Sequence, residues 1–430
     1  MIRIVAGLSS KAGLSTLAAA VSGLATLVVP LVVQAEGLRN PPPGAYAMSR
    51  GVARVARVDD ATAIFLNPAN LLDLDSKSVA FTPSVVDIER EVEADWGGEA
   101  TTIDNLKLLG GFFAAFPGES DRFAWGIGVS VPYGQSVVYE KDFDFKYLTP
   151  HFTELMVISL SPSVAYRISD SISVGASLDL MWTRLKLHQR YPWKAITQDP
   201  ASPDGAMKFS GEDTVIGGIL ALNWDLNENH RISLTWRPSF EAAYDGDFTI
   251  NNLPLFAPAL GVTEKSDFKT DIEYPDIWKL GYGVHLSEKW SLALAAEHVG
   301  WSSVDALELD VDNNAVLFPS TTLPLHWEDT WTWGVSGDYR ASDLWTFSGS
   351  YWDIETPIPE YTMSPNLMES DIGLWSLGAK RQLGRHALDF SYTLMLYDKR
   401  TVTENLQPAY LGEYDTTASI YQLTWSYAFQ

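Results

Sequence analysis

The sequence predicts an all-β fold, a 14-stranded antiparallel transmembrane β-barrel with an N-terminal hatch, or plug, inside its lumen. Three observations predict it. Apolar residues recur at every second position along many segments, short polar turns alternate with long polar loops, and one N-terminal region lacks the alternation. The predicted organisation is a signal peptide over 1–35, the hatch over 36–77 and the barrel over 78–430.

The first 35 residues have the pattern of a secretory signal peptide. Arg3 and Lys11 supply the positive start, and an apolar stretch from Leu14 to Val33 leads to a small-residue ending at Ala35. The alternative is a retained membrane helix, although Pro30 and several small polar residues dilute the stretch. No later run of about 18 apolar residues occurs, so no other membrane helix is predicted.

The composition limits the partners that the chain can have. The formal net charge is −24, which disfavours nucleic acid, and the absence of cysteine excludes disulfides and thiolate chemistry. Acidic loops that face lipopolysaccharide explain this charge most simply. A dedicated calcium site is the alternative, but no stretch has the aspartate spacing of a known calcium loop. We therefore expect no metal and no cofactor.

The strands are predicted from a period of two. In the last segment, aromatic and apolar residues occupy one face and small polar residues the other, and the same alternation appears over 172–182 and 290–296. We expect the apolar face to meet lipid and the polar face to line the lumen. Tryptophans that close several apolar faces are typical of an interfacial girdle. They are Trp182, Trp224, Trp236, Trp290 and Trp345.

The lengths of the connections predict the number of strands. Six short polar turns alternate with seven longer loops, which is the pattern of periplasmic turns and external loops in outer-membrane barrels. With both ends on the periplasmic side, this arrangement requires fourteen strands. The turns are Pro117 to Arg122, Arg167 to Ser171, Asp225 to His230, Leu286 to Lys289, Arg340 to Asp343 and Arg381 to Arg385. The loops lie near 93–105, 140–151, 191–211, 250–269, 303–326, 357–369 and 402–414.

The region over 36–77 is too polar in places for a lipid-facing strand. Its prolines and charged side chains would be satisfied inside the lumen, where they would form a plug. A disordered periplasmic tail is the competing interpretation, and the apolar cluster Ile64, Phe65 and Leu66 argues against it.

At Asn67, Pro68 and Ala69 the sequence resembles the FadL family of outer-membrane transporters of hydrophobic compounds. Further matches follow in the family's order: Ile232 to Ile250 (ISLTWRPSFEAAYDGDFTI), Glu297 to Ser302 (EHVGWS) and the stretch within Trp331 to Pro359 that contains WDIETPIP. The resemblance covers nearly the whole chain after the signal peptide. It also implies fourteen strands and an N-terminal hatch.

The resemblance implies a function. It implies a monomer in the outer membrane through which hydrophobic molecules, with long-chain fatty acids as the leading candidate and alkanes or aromatics as others, diffuse passively and leave sideways where the third strand kinks. That strand is predicted over Phe123 to Tyr139. By the resemblance, we assign the lateral opening to Pro132, Tyr133 and Gly134. Proline removes a ladder donor, so a local break in pairing is physically reasonable there, and a simple bulge is the alternative. By the same resemblance, we expect Asn67, Pro68 and Ala69 of the hatch to contact this opening.

Basic residues suggest where an anionic head group would bind. Arg50, Arg54 and Arg57 in the hatch could hold a carboxylate, or could pair with acidic side chains in the lumen. Arg184 and Lys186 fall on the same, lipid-facing side of their strand as Trp182, so we expect them to contact lipopolysaccharide phosphates.

Two other functions were weighed. An enzyme would need a nucleophile and a base, but no Gly-x-Ser-x-Gly occurs and no two histidines have metal-ligand spacing. The alternative to transport is a closed barrel that binds or anchors surface components, and a general porin is disfavoured because a hatch would obstruct it. The histidines are His151, His188, His230, His285, His298, His326 and His386.

Overall fold

A computed structural model of the protein describes residues 36–51, 55–312 and 321–429. The predicted signal peptide and Arg54 lie outside the described residues. Among the described residues, fourteen antiparallel strands form one closed sheet, because the last strand pairs with the first as well as with its predecessor. The predicted all-β, 14-stranded antiparallel barrel is confirmed.

The strands of the barrel are long, and four of them are interrupted by a short break. They are β1 (Ser78–Phe81 and Ser84–Ala94), β2 (Leu106–Leu109 and Phe112–Pro117), β3 (Phe123–Val138), β4 (Phe152–Ser169), β5 (Ile172–Tyr191), β6 (Gly205–Asp225), β7 (His230–Arg237 and Phe240–Ile250), β8 (Lys265–Tyr274 and Ile277–His285), β9 (Trp290–Val299), β10 (Thr330–Arg340), β11 (Trp345–Ile354), β12 (Ile372–Leu383), β13 (His386–Tyr397) and β14 (Gly412–Ala428). β7 is interrupted at residues 238–239, where Pro238 cannot donate to the ladder.

Short helices and additional strands are not part of the barrel wall. The helices are α1 (Ala45–Arg50), α2 (Ala63–Leu66) and α3 (Trp193–Thr197), and 3-10 turns occupy Pro68–Asp73, Ala257–Leu260, Trp301–Ser303, Glu360–Thr362 and Pro408–Tyr410. Loop strands occupy Glu99–Thr101, Ala306–Val311, Thr321–Pro324 and Arg400–Val402. None of the described helices has both the length and the apolar character needed to cross a bilayer.

The connections alternate as the sequence predicts. One end of the barrel carries the six predicted short turns, and the opposite end carries the seven predicted longer loops. Because strands alternate in direction, every short turn lies at the same end. The turn and loop predictions are confirmed.

The burial pattern of the strands is that of a membrane barrel rather than a soluble sheet. In β14, Tyr421 is 44 % exposed while the neighbouring Gln422 is 2 % exposed. The same inversion holds in β5, where Leu178 is exposed and Ser177 and Asp179 are buried. Apolar side chains therefore face outward, where lipid covers them, and polar side chains face inward.

Hydrogen bonds and ion pairs satisfy the inward-facing polar groups. Ser161 donates to Asp179 at 2.5 Å, and Arg237 of β7 pairs with the other oxygen of the same carboxylate at 2.8 Å. Ser163 and Ser177 are 2.5 Å apart across the neighbouring strands. These contacts are needed because a buried polar group without a partner is costly.

The N-terminal segment, residues 36–77, packs against the inner faces of strands on opposite sides of the barrel. α1 contacts strands β10 to β14, whereas the turn Pro68–Asp73 contacts β2 to β6. Pro42 accepts a hydrogen bond from Gln422 of β14, and Arg231 of β7 forms an ion pair with Asp73. The residues of this segment are mostly buried. These contacts explain why the segment is polar yet ordered.

Candidate functional site

β3 carries an irregularity at the predicted position. It spans Phe123–Val138, and its register with β4 shifts between Ser130 and Tyr133, because Ser130 is opposite Ser159 and Tyr133 is opposite Val157. β3 therefore has one residue more than β4 over this stretch, which is the definition of a β-bulge. The bulge contains Pro132, whose missing N–H makes a regular ladder impossible there.

The other edge of β3 loses its neighbour at the same level. β2 pairs with β3 only up to Phe112 opposite Val129, and the part of β2 nearer the loops, Leu106–Leu109, pairs with β1 alone. Among the described residues, no strand of the barrel pairs with this edge of β3 over residues 130–137, which is roughly 25 Å of strand. The alternation of burial also ends here, because Ser130 to Val137 are buried or nearly so. The wall between β2 and β3 is thus interrupted where β3 lies closer to the interior.

The N-terminal segment supplies the missing hydrogen bonds. The Asn40 N–H donates to the Pro132 carbonyl at 3.0 Å, the Gly134 N–H donates to the Leu38 carbonyl at 2.8 Å, and Arg39 bridges Tyr133 as an antiparallel strand would. The side chain of Asn40 also donates to the Val131 carbonyl at 3.0 Å. The start of the N-terminal segment therefore forms a short strand against the bulge.

A buried ion network fixes the start of the N-terminal segment to β9. Arg39 pairs with Glu36 at 2.7 Å and with Glu297 at 2.8 Å, and Lys279 contacts the second oxygen of Glu297. Although burial opposes it, the neighbouring Glu297 and Glu36 raise the pKa of Arg39 above its ordinary range. Burial raises the pKa of Glu36, against the effect of Arg39. Removing one member of such a network leaves an uncompensated buried charge, which is strongly destabilising.

The side chain of Tyr133 extends from the bulge into an aromatic cluster. Its ring meets Phe240 edge-on at 5.7 Å and Tyr274 edge-on at 4.9 Å, and those two rings stack at 4.5 Å. The Tyr274 hydroxyl lies 2.9 Å from that of Tyr244. The cluster makes the lumen apolar next to the interruption, whereas the buried Asn223, Arg231 and Ser233 make it polar nearer the short turns.

The Asn-Pro-Ala motif lies elsewhere on the inner wall. The Asn67 amide donates to the Val55 carbonyl at 2.7 Å and to Asn223 of β6 at 2.8 Å, and its oxygen caps the Pro68–Asp73 turn by accepting from the Ala69 N–H. Ala69 packs against Gly175 of β5, where an added Cβ would lie 2.2 Å from the Ala69 nitrogen. Leu38 to Asn40, and not the motif, form the hydrogen bonds to Pro132 and Gly134.

The arginines of the N-terminal segment differ in their partners. Arg50 forms an ion pair with Asp338 of β10 and lies 4.0 Å from the ring centre of Tyr46. Among the described residues, Arg57 Nε and Nη2 are buried without a hydrogen-bond partner, and burial followed by the charge of Arg231 lowers the pKa of Arg57. On the outer wall, Arg184 pairs with Glu154 at 2.7 Å and lies over the Trp182 ring.

Three cavities lie next to the bulge and the N-terminal segment. An inner cavity of about 80 Å³ lies between Pro132, Tyr133 and the N-terminal segment. An outer pocket of about 370 Å³ lies nearer the loops and is lined by Leu38, Leu155 and Leu185 among others. A third cavity of about 290 Å³, at the end of the barrel with the short turns, contains Arg57. Small-molecule pockets usually have roughly 300 to 1,000 Å³, so the outer pocket and the third cavity are of about that size and the inner cavity is smaller.

The described ranges contain no cluster of metal-ligating side chains. No group of three or more histidine, aspartate or glutamate side chains there is arranged to hold a metal ion. His151 and His188 lie near each other, with ring centres 6.3 Å apart.

Sequence reasoning missed Leu38, Arg39 and Asn40 as partners of the bulge. They precede three prolines, which hold the chain extended, and this was the only local signal. Lys279 was also missed, and Glu297 was noticed only as part of a resembling stretch. Their pairing with Arg39 joins residues more than 200 positions apart, which no local pattern can show.

Closure of the sheet, the outward apolar face and the alternation of turns and loops define the class: a bacterial outer-membrane β-barrel. Residues 32–429 match the family model described as outer membrane protein transport protein (OMPP1/FadL/TodX). The chain belongs to this family of outer-membrane transporters of hydrophobic compounds, and the predicted outer-membrane location is confirmed.

Curated relatives match over most of their length. A long-chain fatty acid transport protein of Escherichia coli O6:H1 is 23 % identical over 417 residues, which is 87 % of this chain and 90 % of the relative. A putative outer membrane protein of Neisseria meningitidis serogroup B is 25 % identical over 412 residues, covering 86 % and 88 %. Both are outer-membrane or transport proteins by description, and neither is described as an enzyme.

Solved structures share the fold. A Pseudomonas aeruginosa FadL homologue has a TM-score of 0.81 at 19 % identity, over 92 % of this chain and 100 % of that chain. The Ralstonia pickettii toluene transporter TbuX has a TM-score of 0.70 at 18 % identity, over 90 % and 98 %. At these identities the likeness shows the fold alone.

Proposed function

We propose that this protein lets hydrophobic molecules, with long-chain fatty acids as the first candidate, diffuse passively across the outer membrane and leave sideways between β2 and β3. A monomer is sufficient, because the interruption lies within one barrel wall. The observation that carries the proposal is the bulge at Pro132 together with the missing β2 partner over residues 130–137.

A lateral route suits an apolar cargo. Exposing apolar surface to water costs about 25 cal/mol per Å², so a water-filled pore would not help such a molecule. A gap that opens from an apolar lumen into lipid avoids that exposure. The aromatic cluster at Tyr133 and Phe240 provides apolar surface beside the interruption.

The N-terminal segment would act as the hatch. The inner cavity of about 80 Å³ is too small for a long acyl chain, and the strand formed by Leu38 to Asn40 borders it. Passage therefore requires this strand to separate from β3. The Arg39 network would hold the closed arrangement.

A carboxylate head group could bind Arg57, which among the described arginines of the N-terminal segment has donors without a partner. Arg50 is engaged with Asp338, whereas Arg57 has unpaired donors in the 290 Å³ cavity. Asn67, Pro68 and Ala69 would act by holding the segment on β5 and β6. Arg184 and Lys186, both near Glu154, would reach lipopolysaccharide phosphates only by sharing or leaving that carboxylate.

The test is to remove the extra residue of the bulge. Deletion of Pro132 restores a regular register between β3 and β4, so we expect uptake of radiolabelled oleate by cells that lack other fatty-acid transporters to fall to background. The matched control is deletion of Ile168, the extra residue of a second bulge, between Arg167 and Ser169 of β4 near a short turn. Folding of each variant is checked by its heat-dependent gel migration.

The outcomes separate the candidates. Normal uptake by the folded Pro132 deletion would overturn the lateral route. Uptake absent from the wild type with oleate, but present with an alkane or an aromatic hydrocarbon, would replace the substrate and keep the route. No uptake of any of these would favour a closed barrel that binds or anchors surface components.

A further inference from the structure

The barrel wall has a second interruption, between β8 and β9. The two strands pair from His285 opposite Ser291 to Ile277 opposite Val299, and the chain then turns inward, with Trp301 and Val304 buried. It rejoins β8 only at Lys269 opposite Asp310 and Phe268 opposite Val311. Among the described residues, β8 has no ladder partner on this side over 270–275, which is roughly 20 Å of strand.

The outer pocket of about 370 Å³ continues through this interruption. Ile272, whose side chain is buried in the interior, lines the pocket, and so do Asp271 and Glu273, whose side chains are exposed on the outer face of the same strand. Leu307 and Trp327 line the opposite side of the gap. A pocket that touches both faces of β8 passes from the lumen to the outer surface.

Aromatic residues place the interruption above the hydrocarbon region. Trp278 of β8 stacks on Trp236 of β7 at 5.3 Å, and Trp331 stacks on Trp333 of β10 at 5.6 Å. Such outward-facing rings mark the membrane interface. The gap begins at Pro275 and extends from Trp278 toward the long loops, so it opens beside the lipid head groups and not among the acyl chains.

The rim of this opening is acidic. Among the described residues, the pocket lining contains five carboxylates and no lysine or arginine. The five acidic residues are Glu241, Asp271, Glu273, Asp305 and Glu308. Residues 313–320, which follow in the same loop, read NNAVLFPS and carry no basic residue either. The nearby lysines already face acidic groups, because Lys265 pairs with Asp247 at 2.8 Å and Lys269 is opposite Asp310.

We propose that the gap between β8 and β9 is a lateral entry window that admits uncharged hydrophobic molecules into the outer pocket and disfavours carboxylates. The inference rests on the proposed transport function and adds to it the entrance and the charge state of the cargo. Hydrocarbons, long-chain alcohols and the protonated form of a fatty acid meet apolar side chains in the pocket. A fatty carboxylate meets like charges at the rim, and no cation in the described lining compensates it.

The charge selection is tested with two probes of equal chain length. Binding of radiolabelled hexadecanol and of palmitate at pH 8 is measured on the full-length protein in nanodiscs at low salt. The variant Asp271→Asn/Glu273→Gln/Asp305→Asn should raise palmitate binding roughly fivefold to tenfold while hexadecanol binding stays constant. High salt should reduce this gain, because it screens the carboxylates.

A matched control separates the rim from net charge. Glu119→Gln/Asp121→Asn/Asp343→Asn removes the same number of acidic groups from two short turns, and its palmitate binding should equal that of the wild type. An equal gain in both triple variants, or no gain in the rim variant, would overturn the charge selection.

The entrance itself is tested by filling it. Ala306→Trp places a large ring at the edge of the gap and should lower the rate of hexadecanol uptake by cells at least about fivefold, whereas Ala341→Trp in a short turn should not. If Ala306→Trp folds and transports normally while the Pro132 deletion does not transport, the window is overturned and the lateral exit stands. If both variants transport normally, the window and the proposed lateral exit are both overturned.

Discussion

At Gly175, the barrel wall and the N-terminal segment approach each other more closely than a side chain would allow. The Ala69 backbone lies where a Cβ would be, so we expect Gly175→Ala to displace the Asn-Pro-Ala turn and to destabilise the protein by about 1 to 3 kcal/mol. Urea unfolding of the refolded protein, followed by tryptophan fluorescence, measures this. The control is Gly373→Ala in β12, where the nearest atom is 3.7 Å away and no comparable loss is expected. Equal losses would show that the contact does not constrain the segment.

The strand formed by Leu38, Arg39 and Asn40 depends on backbone hydrogen bonds that single substitutions can remove. Asn40→Pro deletes the N–H that donates to Pro132, whereas Asn40→Ala keeps this N–H and removes the side-chain bond to Val131. We expect the Gly134 amide to exchange with deuterium roughly fivefold faster in Asn40→Ala, and faster still in Asn40→Pro. Hydrogen exchange with mass spectrometry reads this directly. Unchanged exchange in Asn40→Pro would mean that β3 is held without the N-terminal strand.

At the scale of the whole molecule, the N-terminal segment fills a lumen with polar walls. Deleting residues 36–77 while keeping the signal sequence should therefore leave a barrel that folds and conducts ions, because the polar inner face tolerates water. Planar-bilayer recordings should show a stable conductance in the deletion and little or none in the intact chain. A deletion that folds, as judged by gel migration, but conducts no better than the intact chain would contradict the hatch assignment.

The fold could be predicted well because its signals are local. A period of two, turn residues and loop lengths are each read within ten or twenty positions, and they gave the fourteen strands and the end of the barrel on which each connection lies. The proline in β3 is also a local signal, so the position at which the pairing of β3 becomes irregular was predicted, with a simple bulge as the alternative to an opening. The partners of the bulge were not, because the contacts of Arg39 with Glu297 join distant parts of the chain.

The interruption between β8 and β9 also could not be predicted from local sequence. The sequence over 270–274 has the alternation of an ordinary strand, with exposed acids and a buried Ile272, and only Pro275 marks the place where pairing ends. The gap arises because the neighbouring chain turns inward at Trp301 to meet the N-terminal segment, with its ring against Gly37. A strand pattern indicates that a residue can pair, and only the fold shows whether a neighbour is present.

The contacts of the N-terminal segment constrain the order in which the protein can be assembled. This segment is the first part of the barrel domain to leave the ribosome, yet α1 contacts strands β10 to β14 and Arg39 contacts β9. Those binding surfaces do not exist until the second half of the chain has become sheet. The start of the chain must therefore wait in the periplasm, exposed to proteases and chaperones, and it is enclosed when β14 meets β1 and completes the cylinder.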